Sequence, residues 1–451
     1  MSFRRAALAT LVGVALVAGP VPAYGHDDGK GHVSFPGQEV KQQEFEGVTA
    51  RNAASHSNAP ESFAPCVDGL AAGTYPCDGV DMLSHLWLDD LGLSFANDIW
   101  GWTDPLTAKD YALVGGTEGT VFVDISDAKR PRVVGMLPTH STEGGDFWRD
   151  IKVYGDHAFV VSENKGHGLQ VFDLTRLRDA GVTPATFTAD VDYQEFGSAH
   201  NININTGSGY AYAVGTTTCD GGLHMVDVRD PKNPTFAGCM SDVGYVHDTQ
   251  CVDYQGPDTE HVGREVCVSS AAQWGGASPE QIVNTVAVVD VTDKSNPRVL
   301  SNVEYPGDGY SHQGWLTPDQ ATFLHGDELD EVFNGNTTRT RVWDVSDLDN
   351  PSVTGAFDNT TTSIDHNMYT QGQNAYQSNY TSGLRVLDTS EAAQGMLTEK
   401  AFFDTYPEND NASFEGGTWS NYPYFRQQGI VAVNTMDRGL FVLKPRIGAG
   451  G

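Results

Sequence analysis

Basic residues are scarce: 27 Lys and Arg stand against 59 Asp and Glu, a formal charge of -32. A chain this acidic repels phosphate backbones, which excludes nucleic acid as a natural partner. The acids are spread along the chain and form no single block, the pattern of a heavily solvated surface rather than a docking tail. Cysteine is also rare. The six, Cys66, Cys77, Cys219, Cys239, Cys251 and Cys267, include no C-x-x-C pair, which argues against a zinc knuckle or a thiol redox motif. After residue 25 no apolar run approaches the ~18 residues of a membrane span. Helical periodicity is almost absent beyond Asp81, and there is no P-loop, dinucleotide fingerprint, serine nucleophile elbow or zincin helix.

The first 25 residues, MSFRRAALATLVGVALVAGPVPAYG, set Arg4 and Arg5 before an apolar run and a small-residue site at Ala23-Tyr24-Gly25. This is the anatomy of a secretory signal cleaved near Gly25, so the mature chain is expected to be secreted and monomeric. An oxidising compartment makes structural disulfides the default for an even cysteine count. Sequential pairing is favoured, because each pair closes a short loop and Cys251 would face Cys267 across one hairpin. Residues 26–65 are polar, bear Gly and Pro and lack apolar periodicity, which predicts a flexible leader. His26 and His32 within it are conceivable copper ligands, outweighed by the lack of anything rigid to set their geometry. Residues 447–451 are a short tail.

What the chain does have is a repeat. VFVDISDAKRPRVVG, HMVDVRDPKNPTFAG, AVVDVTDKSNPRVLS and RVWDVSDLDNPSVTG share an apolar strand, an Asp, a turn rich in Asp, Asn and Pro, and another strand. LQVFDLTRLRD and LRVLDTSEAAQ are looser copies. Polar pairs precede them in register: Asn97-Asp98, Arg149-Asp150, His200-Asn201, His247-Asp248, His312-Gln313, His366-Asn367 and Trp419-Ser420, spaced by 47–65 residues. Each unit holds about four short β-rich runs separated by turns, the signature of propeller blades. The prediction is an all-β, seven-bladed β-propeller over residues 66–446, with blades starting near 98, 150, 201, 248, 313, 367 and 420. The last unit supplies three strands, near SNYPYF, GIVAVNT and GLFVLKP. The orphan strand MLSHLWL at Met82–Leu88 is expected to complete that blade and remove the open edge.

From Cys66 to Pro445 the chain resembles the LVIVD-repeat β-propellers, in particular the exported bacterial group called choice-of-anchor B proteins. The resemblance rests on CVDGLAAGTYPC followed by DMLSHL, on the VDVSDPxNP-like turns, on SHQGWLT and on GDELDE at Gly326 to Glu331. It implies the fold and export, and no particular activity. The C-terminal KPRIGAGG carries no recognisable anchor, so release into the medium is the expectation.

The first strand of a propeller blade lines the central channel, so equivalent starting positions form a ring near one mouth. His200, His247, His312 and His366 belong to four consecutive blades, and imidazoles converging there suit a divalent metal: Zn, Cu, Mn, Fe or Ni, with Ca as a further option. A two-residue turn at Pro318-Asp319 would set His325 opposite His312 and carry Asp327 and Glu328 to the same mouth. A turn at Gly155-Asp156 would set Arg149 opposite Ser162 and beside Glu163. Asp98, Asp150, Asp248 and Asn367 are expected to orient the imidazoles or complete the shell. Strand alternation implies that only one member of each polar pair faces the channel. Trp100, Trp102, Trp148, Trp315 and Trp419 offer surfaces for sugars at that mouth, against packing between blades. The repeated Asp124, Asp227, Asp290 and Asp344 read as turn residues accepting local hydrogen bonds.

Three functional readings follow. The first is a propeller binding a divalent metal or a small-molecule, carbohydrate or protein ligand at the His-lined mouth, in a recognition or scaffold role. The second is a metal-assisted hydrolase, lyase or oxidase in which Arg149 and an acid, Asp150 or Glu328, assist. The third is a structural or protein-interaction propeller with no small-molecule site, in which the polar pairs only satisfy backbone groups.

Overall fold

The computed structural model describes residues 38–54, 62–141, 147–274 and 282–447. The expected signal peptide, His26 and His32 lie outside them. The repeated turn is the local rule from which the architecture grows. Asp124 Oδ1 accepts from the Ser126 amide at 3.1 Å, and Asp227, Asp290, Asp344 and Asp388 each accept from the amide two residues on at 2.8–3.1 Å. A carboxylate that closes its own turn reverses the chain at the same point of every unit. This is the role expected of these aspartates.

Seven sheets result, antiparallel except for one short added strand. Their innermost strands are Ala96–Thr103, Arg149–Tyr154, Asn201–Asn205, Tyr245–Asp253, Ser311–Leu316, Met368–Gln371 and Thr418–Phe425, which open blades 1 to 7 in order. The chain is a seven-bladed β-propeller. Blade 7 has three strands from the C-terminal region and closes on Val80–Leu86, which pairs antiparallel with Gly439–Pro445 and sets His85 against Phe441. The short strands Leu70–Ala71 and Tyr75–Asp78 extend blade 6. One expected strand is divided: of the run near ATFTADV, Ala185–Thr186 pairs parallel with Gly135 and Met136 of blade 1, whereas blade 2 takes Val191–Tyr193 as its outer strand.

The apolar core lies between blades, as stacked sheets require. At the closing seam Ile99, Val114 and Val121 of blade 1 pack on Ala432, Leu440 and Val442 of blade 7, all at most 0% exposed. Three disulfides join Cys66 to Cys77, Cys219 to Cys239 and Cys251 to Cys267, the sequential pairing, and Cys251 pairs directly with Cys267 in the first hairpin of blade 4. They fit an oxidising compartment. Among the described residues no helix is long and apolar enough to cross a membrane.

The seam between blades 6 and 7, which includes the closing strand, is where single substitutions should cost most. Phe441 is fully buried, stacks on His85 at 3.8 Å and meets Tyr75 edge-on at 5.4 Å. Phe441→Ala is expected to lower stability by about 3–5 kcal/mol in urea unfolding. Phe236→Ala, at a side chain 52% exposed, should change it by less than about 0.5 kcal/mol. Equal losses would mean that the seam carries no special share of stability.

Candidate functional site

Histidines reach the channel mouth because the inner strands bulge there. In blade 5, Ser311 pairs with Asp327 and Gln313 with Gly326, which leaves His312 as an extra residue. His247 is the extra residue in blade 4 and Trp419 in blade 7. A bulge suspends strict alternation, so both members of a polar pair serve the channel, contrary to the one-in, one-out expectation. Gln313 exchanges two hydrogen bonds with the Met368 backbone of blade 6, both at 3.0 Å, while His312 lies in the mouth.

The rings of His200, His247, His312, His366 and Trp419 form a continuous arc, with successive centroids 4.2, 4.0, 4.4 and 5.0 Å apart. The backbone sets their tautomers. His247 Nδ1 donates to His312 O at 2.8 Å, and His366 Nδ1 donates to Trp419 O. His200 Nδ1 donates to the Glu163 carboxylate. For His247 and His366 the proton resides on Nδ1, and Nε2 keeps its lone pair, as in the outer-shell pattern that orients metal-binding histidines. His312 is 1% exposed and neither ring nitrogen has a hydrogen-bond partner. Gly215 makes room for the arc: it has φ +59°, and a Cβ there would stand 2.6 Å from His200 Cβ.

Glu328 completes the group. It is fully buried, accepts from Tyr380 OH at 2.9 Å, and lies 3.7 Å from both His312 Nε2 and His366 Nε2. Donor atoms of His247, His312 and Glu328 all lie within 4.8 Å of one another. Burial holds the His247 and His312 imidazoles well below their ordinary value, reinforced by the neighbouring histidines, and brings His366 down to about 4. The rings are therefore neutral near pH 7, the protonation state that binds a metal.

The mouth is covered. Gln38–Ala54, part of the stretch expected to be a flexible leader, is an α-helix laid across it. Phe45 is fully buried among Phe95, Phe147, Trp148, Phe414 and Trp419, with centroids 5.2–6.1 Å away. Lys41 bonds Glu328 through its ammonium, Glu44 accepts from the Phe414 amide at 2.7 Å, and Asn52 donates to Ser94 O at 2.9 Å. Among the described side chains of the helix, Phe45 and Val48 supply the buried apolar face. That stripe is too narrow to announce a helix, and the aromatics that bury it come from the entrances to blades 1, 2 and 7.

Several expected neighbours stand elsewhere. Thr317 N donates to Thr322 O, so the blade 5 turn has four residues, 318–321, and His325 faces Gly314 instead of His312. His325 lies inside the blade beside Tyr305 and Trp343, at centroid distances of 5.1 and 6.2 Å. Asp327 is occupied by Tyr305 OH and by the amides of Gly309 and Tyr310 at 2.6–3.0 Å. Arg149 does face Ser162, as expected, but its Nε donates to Gly116 O at 3.0 Å and its Nη1 meets His167 Nε2 at 3.1 Å. Trp148 and Trp419 are buried under the helix, and Trp102 stacks on Tyr111 within blade 1. Asp98, Asp150 and Asp248 gather around Lys152, whose Nζ is 2.5 Å from Asp150 and 3.6 Å from Asp98. Asp98 and Asp150 also accept from Ile151 N and Ile202 N of the next blades. Burial raises Asp98 well above the carboxylate range and brings Asp248 up to about 7. Arg149 and Asp150 are thus engaged by Gly116, His167 and Lys152, whereas Glu328 stands with the histidines.

A second group with donor atoms this close, Asp258, His261 and Asp349, sits on the outer rim. It clasps a blade 4 loop to the blade 5 turn, with His261 Nε2 3.1 Å from Asp349. Glu163 was expected at this mouth beside Arg149, whereas Tyr380 and Lys41 were not among the residues expected at the site. The acid next to Ser162 was the one signal available in sequence, because the other two meet the histidines only through tertiary contacts.

Comparison with known proteins agrees with the fold. Residues 145–173 match the LVIVD repeat family. Among solved structures, the chain is similar to Kuenenia stuttgartiensis hydrazine synthase, at 12% identity and a TM-score of 0.50 over 75% of this chain and 93% of that one. It is also similar to the β-propeller domain of Myceliophteria thermophila Cps50 (Swd1), at 11% identity and a TM-score of 0.43 over 74% and 93%. No curated protein matches the chain. At 12% identity the likeness to the hydrazine synthase speaks for the fold alone.

The depressed His366 imidazole has a measurable sign. Unfolding frees a ring that protonates near pH 6.5, so stability falls as pH drops from there toward about 4. In metal-stripped protein, wild type should lose about 2 kcal/mol relative to His366→Gln between about pH 7 and pH 5. An unchanged difference in denaturant unfolding at the two pH values would contradict a neutral, buried His366.

Proposed function

We propose that the chain is an exported β-propeller that binds a divalent transition metal at the helix-covered mouth, through His247, His312 and Glu328, with His366 as a fourth donor. The observation that carries this reading is His312, a buried imidazole with both nitrogens unpaired among two other imidazoles and a carboxylate. A buried polar group left unpaired is costly, and a metal would satisfy it. Two or three imidazole nitrogens with one carboxylate favour Zn, Cu, Fe or Mn, whereas Ca prefers an all-oxygen shell. The Nδ1 hydrogen bonds of His247 and His366 to carbonyls support this, because they direct lone pairs on Nε2 away from the blade backbone. Lys41 is the built-in competitor: its ammonium neutralises the carboxylate that a metal would use. The role is recognition or scaffolding, in which the metal fastens a ligand or the helix itself to the mouth.

Untagged protein, stripped with chelator and titrated with Zn, is expected to bind one equivalent by calorimetry and elemental analysis. His247→Ala with His312→Ala should abolish that uptake. Equal uptake by the double variant and the wild type would reject the site. Lys41→Met should tighten Zn binding at least about tenfold, because Glu328 loses its competing cation. An unchanged or weaker affinity would show that Lys41 does not guard the carboxylate.

A further inference from the structure

The inner strands that carry the histidines at their starts end at the opposite mouth, and the chemistry there is different. Two cavities of about 1050 and 540 Å³ share Gln250, Trp315, Tyr424 and Arg426, so they are lobes of one basin. The basin departs from the character of the chain. Although acids outnumber bases by 59 to 27 overall, Asp253 is the one acid among its described lining residues, and of the cations there Lys152 belongs to the aspartate cluster, Lys444 bonds Gln428 O and Arg446 pairs with Asp81, which leaves Arg426 for a ligand. The Asp253 carboxylate is already engaged by Asn205 Nδ2 at 2.9 Å.

The hydrogen bonds between blades decide what the basin offers. Cys251 N donates to Asn203 Oδ1 at 3.0 Å, and Leu316 N donates to Gln250 Oε1 at 2.7 Å. A backbone N–H can meet only the oxygen of an amide, so the orientation of both side chains is set, and each keeps its NH2 for the basin. Among the described residues neither NH2 group has a partner, and the exposed Arg426 guanidinium has neither a hydrogen bond nor an ion pair. The polar lining is therefore rich in donors, and the groups it suits are acceptors. The aromatic lining is held in place as well. Trp100 and Trp315 are half-buried and stand edge-on to Tyr369, at 5.4 and 4.9 Å, with Tyr424 6.2 Å from Trp100. Fixed indole faces beside amide donors and a free guanidinium match a pyranose ring that bears a carboxylate.

We propose that this basin binds an acidic saccharide, a uronic-acid oligomer. A sugar face packs on Trp315, since the Lys152 ammonium already lies over Trp100 at 4.6 Å, while ring oxygens accept from Asn203 and Gln250 and the carboxylate pairs with Arg426. This site is independent of the histidine mouth.

The test is titration of the full chain with tetragalacturonate and with its methyl-esterified form, followed by tryptophan fluorescence and calorimetry. The acidic oligomer should saturate and bind at least tenfold more tightly than the ester. Arg426→Gln should remove that preference, and Trp315→Ala should weaken both ligands at least tenfold while circular dichroism shows an intact fold. The His247→Ala, His312→Ala double variant should bind as the wild type does. Failure of both oligomers to saturate would overturn the proposal, as would an acid-to-ester ratio unmoved by Arg426→Gln. Inorganic phosphate that binds as tightly as the oligomer and ignores Trp315→Ala would overturn the saccharide assignment.

Discussion

The structure depends on side chains that reach from the innermost strand of one blade to the backbone of the next. Asp98 accepts from Ile151 N, Asp150 from Ile202 N, Asn203 from Cys251 N, Gln250 from Leu316 N and Gln313 from Met368 N, and Asn434 on the second strand of blade 7 donates to Asn97 O of blade 1. Innermost strands of a propeller diverge and share no sheet ladder, so their inner edges would otherwise leave buried amides and carbonyls unpaired. This collar satisfies them, and it explains why polar residues stand where a packed core would call for apolar ones.

The same collar produces both candidate sites. At one mouth His247 and His366 act as its donors through Nδ1, which leaves Nε2 of each ring to a central ligand. At the other mouth Asn203 and Gln250 act as its acceptors, which leaves their NH2 groups to the basin. Between these layers Lys152 holds Asp98, Asp150 and Asp248 in a buried ionic cluster. Structure and ligand chemistry share the same residues because each of these side chains has two polar atoms and the collar uses only one. The structural reading of the polar pairs and the binding reading are compatible for that reason.

The blade count, the starting positions and the sequential disulfides were legible because they follow from local signals: period-two strands, turns closed by their own aspartate, and cysteines a hairpin apart. The phase of the four histidines was legible for the same reason. Register was not. A loop of four residues instead of two moved His325 from His312 to Gly314, and a bulge at His312 turned an apparent choice between His312 and Gln313 into a role for both. The covering helix was hidden because its burial belongs to its surroundings: Phe45 meets aromatics that lie 50 to 374 residues away in the chain. Tyr380 and Lys41 join Glu328 only in three dimensions.

The central claim is that imidazole nitrogens and one carboxylate oxygen hold a metal under the N-terminal helix. X-ray absorption at the Zn edge of the loaded, untagged protein addresses it most directly. The account requires a first shell of two or three imidazoles and one carboxylate oxygen at about 2.0–2.2 Å, and loss of the imidazole signal in a His312→Ala variant. An all-oxygen shell, or an imidazole signal that persists in that variant and disappears in His261→Ala, would place the metal elsewhere and contradict it.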